Sequence, residues 1–269
     1  MRRLLAVLLF VPCSAFAWGN QGHRVTAAFA EQQLSSGALQ TALVILGTAH
    51  LADVAVDPDK WKSSPGEFRN AEWHFVDTPL GKTYDAHRDC PFSDCVTDRV
   101  TQFAEIVKNE TNAPRRKEAL IYLIHFVGDI HQPLHCETGF LPGGQSDRGG
   151  NLITGITLNG KHLNDKDDKN DNLHFLWDVA LIENVGLSDS AYVKHLTDLM
   201  KTVDAAKEAK GKASDWAREA HTIAEKVQVP SGTDVKAPYI NKNTPRVDLQ
   251  LLRGGLRLAR LIEEALGSP

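Results

Sequence analysis

The side chains best equipped for chemistry in this 269-residue chain are imidazoles and carboxylates, and they recur at one spacing. The stretch "HFVGDIHQPLH", from His125 to His135, holds three histidines and an aspartate, and "HFLWD" sets His174 four residues before Asp178. Neutral imidazole and carboxylate are ligands that zinc favours, and a catalytic zinc keeps a position open for water. A His and an Asp four apart on a helix also form an ordinary hydrogen-bonded structural pair. Two such pairs on separate apolar segments, with His135 in addition, favour a metal site.

The elements that must hold these groups read as helices. Residues 119 to 131 form a buried helical pattern that puts His125 and Asp129 on one face. Pro133 breaks that pattern, so the chain turns there and can bring His135 back toward the same face. His131 lies about 120° or more from the His125 and Asp129 row and reads as a structural or supporting residue. Apolar residues at helical spacing recur in "HRVTAAFAEQQL", "GALQTALVILG", "DCVTDRVTQFAEIVKNE", "APRRKEALIYLIHFVGDI" and "DNLHFLWDVALIENV", then in three further segments to the C-terminus. The one convincing β signal is "LITGITLNGKHL", alternating about an Asn159-Gly160 turn, which reads as a hairpin. The expected fold is all-α: a single helical domain over residues 18–269 with one small β-hairpin.

Residues 1–17 read as a cleaved signal peptide: a basic "MRR", an apolar "LLAVLLFV" and an Ala15-Phe16-Ala17 cleavage signal. The mature chain would start at Trp18 and be secreted or periplasmic. No later segment has the roughly 18 uninterrupted apolar residues of a membrane span. The leader carries Arg2 and Arg3 and no acid, so its loss takes the formal charge from −4 to −6. An acidic chain suits nucleic acid poorly unless bound cations reverse the local sign. Export permits disulfides, and Cys90 and Cys95 could close a small loop. Cys136 is then left over, as a buried thiol or, beside His135, a zinc ligand.

Further candidates lie nearer the N-terminus. His23 stands five residues from Trp18, whose freed amine and carbonyl could chelate a metal; the plainer reading of His23 is a polar residue on an amphipathic helix. Asp59 and His74 stand in apparent loops at a spacing that has no secondary-structure meaning.

In order along the chain, "WGNQGH", "PDKW", "WHFVDTP", "HFVGDIHQPLH", "DRGGN", "NLHFLWD", "WAREAH" and "GGLRLARLIE" resemble the zinc-dependent single-strand-specific nucleases of fungi, plants and bacteria. Those enzymes are also called bifunctional nucleases or 3'-nucleotidases, and they share a fold with bacterial zinc phospholipase C. The resemblance implies three zinc ions at the bottom of a cleft. Asp59, His74, His125 and Asp129 would hold one; His135, His174 and Asp178 a second; Trp18, His23 and Asp129 a third. Asp129 would bridge two ions, as a carboxylate has two oxygens to share. A water activated between the bridged ions would attack phosphorus in line and leave products with 5'-phosphates. The implied substrates are single-stranded DNA, RNA and 3'-nucleotides, handled by a monomer with no obligate protein partner.

Around the metals, the resemblance implies that Asp77 contacts the base and that Phe75 stacks on it, an arrangement indifferent to sequence. Core packing is the other reading of Phe75. Lys82 falls at a further base contact or is an exposed loop lysine, and Asn151 follows the two glycines of "GGN" at the cleft rim. The family usually carries an arginine that orients substrate phosphate where Lys62 stands, and lysine lacks its bidentate fork. Lys60 or Arg69 could serve instead. Phospholipase C activity is one alternative, although those enzymes resemble HxxxE where this chain has His174 and Asp178. An exported zinc-binding protein without catalysis is another, and it would need neither Phe75 nor Asp77.

Overall fold

The computed structural model describes residues 18–61, 71–164 and 168–267. The helices are α1 (Asn20–Glu31), α2 (Ser36–Leu46), α3 (Asp57–Trp61), α4 (Ala86–Asp89), α5 (Val96–Asn109), α6 (Ala113–Asp129), α7 (Leu173–Phe175), α8 (Leu181–Glu183), α9 (Asp189–Met200), α10 (Ala205–Glu208), α11 (Ala213–Ala224) and α12 (Ala237–Leu266). A turn of π-helix, Leu176–Ala180, joins α7 to α8 without a break. The all-α expectation holds. Among the described residues, no helix is long and apolar enough to cross a membrane.

The hairpin is present as β1 (Thr157–Leu158) and β2 (Lys161–His162), with Thr157 opposite His162. Asn159 and Gly160 both take positive φ, as the tight turn demands. A third strand, β3 (Asp234–Val235), pairs parallel to β1 with Thr157 opposite Asp234. The sheet thus extends the expected hairpin by a two-residue strand, too short to leave a period in the sequence.

Local chemistry explains where α6 starts and stops. The Asn112 side chain accepts from the Arg115 amide at 3.1 Å, and Pro114 occupies the first turn, where a missing N–H costs nothing. The helix ends at Asp129 because the Pro133 ring would strike the carbonyl four residues back and has no N–H to give it. Gln132 N donates to Asp129 O at 2.9 Å instead, and Pro133–Cys136 continues as a tight 3₁₀ turn. His131 is therefore beyond the helix, not on it as the sequence pattern suggested.

Two apolar cores flank the seam on which the candidate side chains sit. One gathers α2, α5, α6 and the C-terminal part of α12; the other gathers Trp18, Phe29, α7, α8, α9 and the middle of α12. The helices α1 and α12 cross closely at Gly255, where a Cβ would stand 2.4 Å from Phe29 Cδ1 and 3.2 Å from Thr26 O. The substitution Gly255→Val should therefore destabilise the fold by about 1–3 kcal/mol through overpacking. It is read as a lower urea midpoint at unchanged slope; a wild-type midpoint would contradict this packing.

Candidate metal centre

His125 and Asp129 leave one face of α6, both fully buried. His125 donates Nδ1–H to Ala55 O at 2.8 Å, which turns its Nε2 inward. There Nε2 meets His74 Nδ1 at 3.1 Å, Asp129 Oδ2 at 3.3 Å and Asp59 Oδ1 at 3.6 Å. His74 Nδ1 stands 2.9 Å from Asp129 Oδ2 and 3.8 Å from Asp59 Oδ1. Four ligands at zinc bond lengths of about 2.0–2.1 Å are separated by tetrahedral edges of roughly 3.3 Å. The contacts among these four groups scatter around that edge. Two imidazoles and two carboxylates converge on one point, a buried arrangement that a cation among them would stabilise and that could hold a metal ion.

Asp59 and His74 sit on regular turns where the sequence suggested loops. Asp59 is in the five-residue α3 and His74 ends a 3₁₀ turn, Ala71–His74, both too short to show an apolar period. The chain then runs beside the 3₁₀ turn after α6: Val76 N donates to His135 O at 2.8 Å and Thr138 N to Thr78 O at 2.9 Å.

A second group consists of His135, His174 and Asp178, which together could hold a metal ion. His135 donates Nδ1–H to His74 O at 2.8 Å, and His174 donates Nδ1–H to Gly149 O at 2.6 Å. His174 Nε2 then faces Asp178 Oδ2 at 3.1 Å, while the Gln132 amide donates to Asp178 Oδ1. The π-helical turn carries Asp178, a local distortion often found where a side chain must be aimed. Gly149 makes the carbonyl contact possible: it has φ 60°, and a Cβ there would lie 2.5 Å from Leu134 O.

On the far side of Asp129, its Oδ1 lies 3.4 Å from His23 Nε2. The His23 ring stacks on that of His125 at 3.9 Å between centroids. Only glycine fits at position 128 against that ring, since a Cβ would come within 2.7 Å of His23 Nδ1. Trp18 is buried beside this group, and Gly19 N donates to Asp178 O at 2.7 Å. The two oxygens of Asp129 thus address different imidazoles.

Phe75 and Asp77 follow His74 directly. Phe75 is half-buried and belongs to neither apolar core, although its neighbour Val76 does. Asp77 is exposed yet has protein packed around its carboxyl. That partial desolvation, with Asp147, Asp89 and Glu72 adding repulsion, pushes its carboxyl up to about 6. Lys82 is exposed on the next turn, and Asn151 is half-buried in the loop of Gly149 with its Nδ2 on Arg148 O at 2.8 Å. Lys62 and Arg69 lie outside the described residues, and Lys60 is exposed with its ammonium on Asp57 Oδ1 at 2.8 Å.

Cys90 and Cys95 are joined by a disulfide, and Cys136 is a buried free thiol. Cys136 Sγ reaches Ile130 O at 3.5 Å, and burial pushes its pKa up, so it is an inert core residue rather than a ligand. His131 donates Nδ1–H to Val127 O at 2.6 Å and accepts from Arg257 Nη1 at 2.9 Å, which commits both ring nitrogens away from the centre. Reasoning from sequence passed over Gln132 and the pair Glu137 and Asp147. Glu137 is buried, and that burial, with Asp147 and Asp77 adding, pushes it up to about 9, so it is a neutral acid at physiological pH. Asp147 accepts from Gly139 N at 2.8 Å. Nothing in the spacing of these acids marks them.

A family model described as S1/P1 Nuclease matches residues 18–267. Nuclease P1 of Penicillium citrinum is 29% identical, over 93% of this chain and 98% of its own length. Nuclease S1 of Aspergillus oryzae is 29% identical over the full length of both chains, and Endonuclease 3 of Arabidopsis thaliana is 28% identical over 95% of this chain and 91% of its own. Imidazoles and carboxylates gathered at the seam of a helical fold, and a match from Trp18 almost to the C-terminus, lead to one conclusion: this chain belongs to the S1/P1 nuclease family and is a nuclease, a hydrolase of phosphodiester bonds.

Proposed function

We propose that this nuclease is exported, binds three zinc ions, and hydrolyses single-stranded DNA and RNA to products with 5'-phosphates, with 3'-nucleotidase activity in addition. The observation that carries the reading is Asp129, whose Oδ2 lies 2.9 Å from His74 Nδ1 while its Oδ1 lies 3.4 Å from His23 Nε2. One carboxylate between two imidazole sets suits two cations better than one. In this reading Asp59, His74, His125 and Asp129 hold one zinc, and His135, His174 and Asp178 another. His23, Asp129 and the Trp18 amine and carbonyl, freed when residues 1–17 are removed, hold the third. The family match beginning at Trp18 supports that cleavage point.

Zinc supplies Lewis acidity there, lowering the pKa of water and neutralising charge on phosphoryl oxygens. The chain does the rest. The carbonyls of Ala55, His74 and Gly149 fix the imidazole tautomers and hold the ring nitrogens in place. Phe75 offers a stacking face to an unpaired base, and Asp77 accepts from its edge, which favours strands whose bases are not already stacked and paired. Lys82 and Asn151 line the rim beside that base, and Lys62 is the proposed phosphate contact. The net negative chain then attracts nucleic acid at the cleft alone, where cations reverse the sign.

Three outcomes test the reading. Mature protein should degrade single-stranded DNA and RNA far faster than duplex, lose that activity to a chelator and regain it with zinc; equal cutting of duplex, or activity indifferent to chelation, would defeat it. The substitution Asp129→Ala should abolish activity and lower zinc content by more than one equivalent, whereas loss of a single equivalent would contradict bridging. The KM of a dinucleotide should change across pH 6 in the wild type as Asp77 gains its proton at low pH, and stay flat in Asp77→Asn; an unchanged profile in the variant would remove Asp77 from base contact.

A further inference from the structure

Two of the stretches that carry the family resemblance, "WAREAH" and "GGLRLARLIE", contribute no candidate ligand. Trp216, Glu219, Gly254 and Arg257 from these stretches, with Gln250 one turn earlier, gather around the residue between the ligand groups, His131. Gln250, Gly254 and Arg257 follow one another on a single face of α12, four and then three residues apart. All three address His131. Gln250 Nε2 donates to His131 O at 2.9 Å. At Gly254 a Cβ would lie 3.6 Å from His131 Cγ, so the ring packs against bare helix backbone. Arg257 Nη1 donates to His131 Nε2 at 2.9 Å.

The donors are themselves held. Arg257, 2% exposed, gives Nε–H to Glu208 O at 2.9 Å and Nη2–H to Glu219 Oε2 at 2.6 Å, and its guanidinium lies over the Trp216 ring at 5.3 Å. Arg253 donates to Gln250 Oε1 at 3.2 Å, which leaves Gln250 Nε2 to point at His131. The opposite edge of His131 is tied to Val127 O, so backbone, tautomer and ring plane of one residue are all fixed.

A guanidinium and an imidazole buried between two apolar cores are costly, and hydrophobic replacements of such groups are often neutral or stabilising. What this network secures is direction. His131 lies two residues after Asp129 and two before Pro133, at the point where α6 must end and the chain must turn to deliver His135.

We infer that the Gln250, Gly254 and Arg257 face of α12, braced by Glu219, is a positioning device that locks His131 and thereby sets where Asp129 and His135 stand. Its effect on metal rests on the zinc reading given above; its effect on the backbone does not. The test uses Arg257→Met, with Glu219→Gln as the milder variant, since Glu219 is 41% exposed and its loss leaves the core intact.

In metal-free full-length protein, amide hydrogen exchange should accelerate at residues 131–136 while residues 119–124 of α6 keep their protection. In zinc-loaded protein, zinc affinity by chelator competition should fall about 10–100-fold, with kcat lowered and KM within about twofold. A cobalt-substituted sample should show an altered visible spectrum. Glu219→Gln should show the same pattern at smaller amplitude. Exchange unchanged at 131–136 in both variants, or raised uniformly along α6 with activity tracking melting temperature alone, would overturn the inference. If the wild type takes up no zinc while the exchange still changes at 131–136 only, the positioning device stands and the metal reading falls.

Discussion

Everything in this molecule turns on one buried carboxylate between two sets of imidazoles. Asp129 has no exposed surface, and its two oxygens face His74 with His125 on one side and His23 on the other. Each neighbouring constraint serves that arrangement. Gly128 lets the His23 ring come against α6, Pro133 stops the helix at Asp129, and the 3₁₀ turn that follows brings His135 under the chain that carries His74. The two apolar cores meet along this seam, so the helices that bury the fold's hydrophobic side chains also aim its polar ones.

Electrostatics reconciles an acidic chain with an anionic substrate. Asp59, Asp129 and Asp178 are all nearly inaccessible to water, and the described partners of their oxygens are imidazoles and the Gln132 amide. Carboxylates buried at such density favour cations, and a histidine whose second nitrogen is tied to a carbonyl can turn its lone pair toward one. In the proposed reading affinity for phosphate resides at the centre, and the surface need not be basic. Close by, Asp77, Glu137 and Asp147 form an acidic wall in which burial keeps Glu137 protonated. In the proposed reading this arrangement offers cations to the nucleic-acid backbone and a carboxylate to the base.

Local periodicity made part of this legible in the sequence. The His125 with Asp129 and His174 with Asp178 pairs follow from helical spacing alone, the hairpin from Asn159 and Gly160, and the return of His135 from Pro133. Asp59, His74 and His23 carried no such signal; they were legible only through the order of motifs shared with a family, because long-range packing brings them together. The helix containing His125 was read two residues too long, since a proline acts on the carbonyl four positions before it. The lock on His131 was invisible, because Gln250, Gly254 and Arg257 are ordinary residues of an amphipathic helix until the fold places them against residue 131.

The most direct test of the central claim is to locate zinc by anomalous scattering in crystals of the protein beginning at Trp18. The account predicts separate ions on the two oxygens of Asp129, one shared with Asp59, His74 and His125 and the other with His23. Both oxygens bound to a single ion, or no ion beside His23, would contradict it.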